Sequence, residues 1–155
     1  MLDLYDEFKA LISALALRKI DYALCGGLAM AVHGIQRATI DIDLLILAAD
    51  LNKAKVVARD LGFTADALPM TFSGKAIEIH RTSKIDPDSG DVLMIDFLLV
   101  TPQVMNAWKT KTEVEWENGK LWVVSRKGLI ELKSLRGNNQ DIEDIERLKE
   151  GFHES

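Results

Sequence analysis

The stretch that most constrains this 155-residue chain is YALCGGLAMAVHGIQRATIDIDLLI, Tyr22 to Ile46. Tyr22 to Cys25 reads as a short buried strand, and Gly26-Gly27 breaks it before a short helix from Leu28 to His33 with Gly34 as its C-cap. A second strand, Thr39 to Leu47, carries Asp41 and Asp43 two residues apart in an otherwise apolar run. Side chains alternate across a strand, so Ile40, Ile42, Leu44 and Ile46 share one face while the two aspartates share the other.

Aspartate is a poor strand former, and burying a carboxylate without a partner costs several kcal/mol. Asp41 and Asp43 could simply face water from a half-exposed strand. Asp96 is harder to explain that way, because it sits inside DVLMIDFLLV, Asp91 to Val100, with four apolar residues on either side. A shared divalent cation would neutralise all three. Residues i and i+2 of a strand lie ~6.5 to 7 Å apart, close enough for their carboxylates to converge on two ions ~3.5 to 4 Å apart. Hard oxygen ligands suit Mg²⁺ or Mn²⁺, and such a centre serves phosphoryl or nucleotidyl transfer. Gly26-Gly27 supplies a complement, since a side-chain-free turn lets a triphosphate approach backbone N–H groups at the start of the next helix. Alone, the same pair is more often tight packing than phosphate binding; in front of the Asp pair it gains weight.

The remainder of the chain reads as an α+β, α/β-like domain with a mixed central sheet and flanking helices, one unit over residues 1–155. Its core spans about 20–100, with a C-terminal hairpin and helices over 101–150. Asp3 caps a first helix with Phe8, Leu11, Ile12 and Leu15 inward. Asp50 caps a second, striped by Leu51, Ala54, Val57, Ala58 and Leu61 and ended by Gly62. Phe63 to Gly74 has no period and is expected to be mostly loop; Lys75 to Arg81 alternates as a strand, and DPDSG (Asp86 to Gly90) is a turn. Pro102 opens a short helix through Trp108. Glu113 to Trp116 and Leu121 to Val124 flank Asn118-Gly119, the residues of a tight hairpin. Ser125 caps a helix through Leu135 closed by Gly137, and a last helix from about Gln140 to Lys149 turns Ile142, Ile145 and Leu148 inward.

Composition sets limits on function. A net charge of −5 argues against a broad, sequence-independent nucleic-acid surface, because that binding is driven by Lys and Arg displacing counterions. One cysteine, Cys25, excludes an internal disulfide and a Cys-based zinc site and fits a cytoplasmic location. No apolar run approaches the ~20 residues of a membrane span, and the acidic N-terminus is unlike a secretory signal. Arg37 and Thr39 could contact phosphate or brace the strand. Lys133 and Arg136 lie on one helical face, where they could reach a triphosphate or pair with Asp141 or Asp144. His33 and His80 lack partners at metal-ligand spacing, and Trp108, Trp116 and Trp122 are too dispersed for a base-stacking platform.

Gly26-Gly27, thirteen residues, Asp41-Ile42-Asp43 and a later Asp96 among apolar residues together resemble the signature of the DNA polymerase beta-like nucleotidyltransferase superfamily. Within it the chain is most similar to small bacterial abortive-infection-type nucleotidyltransferase proteins. These share the LCGGLAMAVHG-x-x-R-A-T-x-D-I-D phrasing and a K-x-x-R-G segment followed by D-x-x-D, here Lys133, Arg136, Asp141 and Asp144. The likeness runs from about Ile20 to Leu148. It implies a nucleotidyltransferase fold in which Gly26 and Gly27 bind the phosphates of an NTP and Asp41, Asp43 and Asp96 hold Mg²⁺ or Mn²⁺. Asp96 would also help deprotonate the acceptor hydroxyl, the acceptor being RNA, protein or a small molecule. The resemblance also brings a toxin–antitoxin partner into view. Many catalytic members have Gly-Ser in place of Gly26-Gly27, which removes one phosphate contact here. The alternative is a non-catalytic nucleotide-binding or antitoxin-like module using the same cleft.

Overall fold

The computed structural model describes residues 1–36, 41–117 and 119–150. At its centre β2 (Asp41–Ile46) pairs in parallel with β6 (Val92–Leu99) over the full length of β2. Both are covered on two sides, which is why their sequences are almost unbroken apolar runs; Ile42, Leu44, Ile46, Ile95 and Phe97 are completely buried. Antiparallel β1 (Ala23–Cys25) flanks β2, and antiparallel β5 (Ile77–Ile85) flanks β6. Beyond β1 lies the hairpin of β7 (Thr112–Trp116) and β8 (Gly119–Val123), with β8 parallel to β1. Beyond β5 lie β3 (Ala65–Asp66) and β4 (Met70–Phe72). The result is the expected mixed sheet, eight strands among the described residues in the order β3-β5-β6-β2-β1-β8-β7 with β4 also on β5.

Helices flank this sheet as the α+β reading requires. On one face α1 (Leu4–Leu17) and α3 (Leu51–Asp60) pack together, and Lys84 of β5 donates to Glu7 of α1 at 2.9 Å. Asp3 caps α1 by accepting from the Asp6 N–H, and Phe8, Leu11, Ile12 and Leu15 point into the core. The opposite face is covered by α5 (Arg126–Arg136), capped by Ser125 and closed by Gly137 at φ +67°, and by α6 (Asn139–Glu150). Two short helices complete the fold. α2 (Gly26–Val32) follows β1 directly, starting at Gly26 rather than Leu28, and α4 (Met105–Lys109) follows a 3₁₀ turn opened by Pro102. Among the described residues no helix is long and apolar enough to cross a membrane.

Some expectations are corrected. Phe63 to Gly74 is mostly loop, as expected, but it also contains β3 and β4; both are short edge strands and carry no alternation for that reason. The strand expected at Lys75 to Arg81 continues to Ile85, its polar end held by pairing with β6 across the Asp86 turn. Asp50 precedes α3 but makes no capping hydrogen bond, because it belongs to the 3₁₀ turn Ala48–Asp50. Gly119 is a strand residue paired with Trp116, and the positive φ (48°) of the hairpin falls on Glu117. Asn118 lies outside the described residues. Ile142 is 54% exposed, and the inward stripe of α6 is Asp141, Asp144, Ile145 and Leu148. That stripe keeps helical spacing but carries two carboxylates, which apolar periodicity cannot reveal.

Candidate active site

The sheet lines up four residues on one transverse rung. Arg81 of β5 is the register partner of Asp96 on β6, Asp96 of Asp43 on β2, and Asp43 of Cys25 on β1. Register partners point to the same face, so these side chains line the side of the sheet covered by α5 and α6. Asp41 joins them two residues along β2. Asp41, Asp43 and Asp96 form one wall of a cleft whose other lining includes Gly26, Gly27, Lys133, Arg136, Asn138, Gln140 and Asp141. Every described residue singled out from sequence for this site is thus brought to one place. Arg37 and Thr39 fall outside the described residues.

Gly26 is fixed by its neighbour. It has φ +68°, and a Cβ added there would lie 2.1 Å from the Asp43 carboxylate oxygen Oδ2. Only glycine accepts both that backbone conformation and that approach. Its first role is therefore to seat Asp43, and its openness toward a phosphate is what remains. Burial pushes the Asp43 carboxyl up to about 7, reinforced by the Asp96 and Asp41 carboxylates and opposed by Arg136 and Lys133. Burial likewise pushes the Cys25 thiol well up, with Asp43 adding to it, consistent with a packing residue rather than a nucleophile.

Asp96 is almost fully buried and is gripped by Arg81 through a two-toothed fork, Nε to Oδ1 at 2.7 Å and Nη2 to Oδ2 at 2.9 Å. Sequence reading missed Arg81. The signal was its parity: it shares a face with Ile77 and Ile79, where an apolar residue would be expected, whereas Glu78 and His80 share the other and pair with each other at 2.9 Å.

Across the cleft, α5 and α6 form an ion-paired roof. Lys133 Nζ lies 3.0 Å from Asp144 Oδ2 and 3.8 Å from Asp141 Oδ1, with both acids and the lysine buried. Gln140 donates to the second Asp144 oxygen at 3.0 Å. Asn138 and Asp141 cap the start of α6 reciprocally, each side chain accepting from the other's backbone N–H. Arg136 is looser: its Nε stands 3.6 Å from Asp141 Oδ2, and 41% of its side chain is exposed. Of the two readings of this basic pair, ion pairing describes Lys133, while Arg136 keeps a guanidinium to offer. His33 bonds the Val124 carbonyl at 2.8 Å, and Arg126 donates to the His33 carbonyl at 2.7 Å, a structural arrangement. Trp116 packs edge-on against Phe8 and Trp108 is buried.

The donor set of Asp41 and Asp43 fits a hard divalent cation, and the Asp43 carboxyl, pushed up by burial first and by the Asp96 and Asp41 carboxylates second, marks a negative charge that such an ion would offset. Asp96 does not join them in this arrangement. Among the described residues no three His, Cys, Asp or Glu groups converge as a metal centre, and the Asp96 oxygens are turned to Arg81.

Comparison with protein-family models and with curated proteins gave no match. The fold itself has clear counterparts among solved structures. An inferred nucleotidyltransferase from Thermotoga maritima is similar over 96% of this chain and 91% of its own, with a TM-score of 0.60 at 18% identity. The crystal structure of ANT(2″)-Ia in complex with adenylyl-2″-tobramycin matches over 91% of this chain and 84% of that one, with a TM-score of 0.59 at 12% identity. The solution structure of the antibiotic-resistance factor ANT(2″)-Ia gives a TM-score of 0.57 at 14% identity over 92% and 80%. At such identities the likeness is one of architecture, and it establishes that the chain has a nucleotidyltransferase fold.

Proposed function

We propose that this chain is a metal-dependent nucleotidyltransferase that moves an NMP from an NTP to an acceptor hydroxyl and releases pyrophosphate. The observation that carries the reading is the meeting of Asp41, Asp43 and Asp96 with Gly26-Gly27 and Arg136 in one cleft of a nucleotidyltransferase fold. In the transfer, the acceptor oxygen bonds the α-phosphorus, the bond to the β-phosphate oxygen breaks, and the hydroxyl proton passes to a carboxylate. Asp41 and Asp43 would hold Mg²⁺ or Mn²⁺, which supplies neutralisation of the phosphates and of the developing negative charge. Gly26 and Gly27 leave the floor of the cleft open to phosphate. Arg136 approaches the phosphates from the roof. Arg37 and Thr39, which stand just before the Asp pair in the sequence, are assigned to phosphate contact, with bracing of the strand as their other role. The whole chain acts as one unit, its C-terminal helices closing the cleft over the sheet.

The acceptor class is open to RNA, protein or a small molecule, and ANT(2″)-Ia, solved with an adenylylated tobramycin, makes small molecules a natural first panel. The likeness of Leu24 to Asp43 to abortive-infection-type proteins supports a cytoplasmic toxin–antitoxin setting with a protein partner. One observation favours the second reading, a nucleotide-binding or antitoxin-like module without chemistry: the fork from Arg81 occupies the carboxylate that the reaction would use as base.

Labelled NTPs incubated with Mg²⁺ or Mn²⁺ and a panel of acceptors decide between them. Transfer by wild type that disappears in Asp41→Ala and Asp43→Ala supports the enzyme. Transfer surviving both substitutions removes the mechanism, and metal-dependent NTP binding with no consumption under any acceptor selects the binding module.

A further inference from the structure

We propose that Arg81 is a resident cation that competes with a divalent ion for Asp96, holding this carboxylate in the metal-free protein and surrendering it when the ion binds at Asp41 and Asp43. The inference rests on the metal-binding part of the proposed function and assigns it a positioning residue.

The rung geometry makes the competition direct. Asp96 stands between Arg81 on one neighbouring strand and Asp43 on the other, each one strand spacing of ~4.8 Å away. A buried carboxylate cannot be left without a counter-charge, and Asp96, with only 3% of its side chain exposed, cannot turn to water. In this structure the counter-charge is the guanidinium, and both oxygens are committed to it. The two partners differ in what they can do next. Arg81 keeps 30% of its side chain exposed, so its head has a route to solvent at small cost, whereas Asp96 has none. An exchange therefore moves the arginine and leaves the acid in place. A divalent ion beside Asp43 repels the guanidinium and offers Asp96 a stronger partner, so ion binding and the Arg81 fork oppose each other. This also accounts for the failure of the three carboxylates to converge in the present arrangement.

The test is titration of the full-length protein with Mn²⁺ alone, the free ion followed by its electron paramagnetic resonance signal. Arg81→Gln is expected to bind Mn²⁺ about tenfold more tightly than wild type, equivalent to ~1.4 kcal/mol. Arg81→Lys, which keeps the charge but loses the fork, should tighten binding by about threefold and stands in if the glutamine variant does not fold. In an Asp96→Asn background the Arg81 substitutions should tighten Mn²⁺ binding markedly less than in wild type, by the relief of charge repulsion alone, and an undiminished effect there would overturn the competition for Asp96. Equal or weaker Mn²⁺ binding by both Arg81 variants overturns the competition while leaving the metal-dependent reading intact. Absence of Mn²⁺ binding in wild type and variants alike overturns both.

Discussion

The two walls of the cleft are both built on buried carboxylates paired with cations, but they pair in opposite senses. On the sheet wall the acid is buried and its cation, Arg81, reaches solvent. On the helical roof both partners are sealed in: Lys133 is 8% exposed, and Asp144 and Asp141 are 0% and 4%. A sealed pair fixes structure, because removing either member strands a charge in low dielectric. A pair with one exposed partner can exchange that partner for a ligand. The site therefore combines a rigid clamp between α5 and α6 with an exchangeable position beside Asp43, and of the two basic residues on the roof, Lys133 belongs to the clamp.

The sharpest way to break this contrast is to neutralise the clamp. Lys133→Met keeps the length of the stem but withdraws the ammonium from two buried acids, and breaking such a pair costs about 3–5 kcal/mol. Urea denaturation at neutral pH should show a loss of that size, with α6 the first element to lose hydrogen-exchange protection. A loss below ~1 kcal/mol would mean that the roof tolerates an uncompensated acid, and the distinction between the walls would fall.

An effect of at most comparable size is expected from pH, and it belongs to the sheet wall. Asp43 titrates at about 7 in the folded chain against 3.8 unperturbed, so between those values the folded state holds a proton that the unfolded state has released. Stability from this group is complete below the lower value and is lost as pH rises through the upper one, by at most ~1.4 kcal/mol per unit. Thermal melts in chelator-containing buffer should fall in Tm from pH 4.5 to 7.5 more steeply for wild type than for Asp43→Asn, which carries no such proton. Parallel profiles would show that burial and the neighbouring acids do not raise the Asp43 carboxyl.

The sheet wall was largely legible in the sequence and the roof was not, for physical reasons. β2 and β6 lie at the centre of the sheet, so their apolar runs are long and their acids conspicuous; parity alone put Asp41 and Asp43 on one face. Arg81 was equally visible by parity, but its meaning lay in a partner fifteen residues away on the next strand, and a single sequence does not register strands. On the roof, the acids Asp141 and Asp144 could be named as partners for Lys133. Their burial could not, because an inward helical stripe that carries two carboxylates fails the apolar test, and Ile142 drew the stripe to the wrong side. β3 and β4 left no pattern because exposed edge strands need none.

The smallest expected change in stability separates the two cations of the roof most cleanly. Arg136→Gln removes a guanidinium that is 41% exposed and stands 3.6 Å from Asp141, so unfolding free energy should move by no more than ~0.5 kcal/mol. Its position on the cleft, facing Gly26-Gly27, gives it a different consequence. If it meets the nucleotide's phosphates, losing a charge-assisted hydrogen bond should weaken NTP binding about tenfold, measured by calorimetry with metal present. Lys133→Met, by contrast, should lose stability first, with NTP binding falling only as the folded fraction falls. An Arg136→Gln protein that is unchanged in both respects would make the roof wholly structural, leaving phosphate recognition to the glycine pair and the sheet wall.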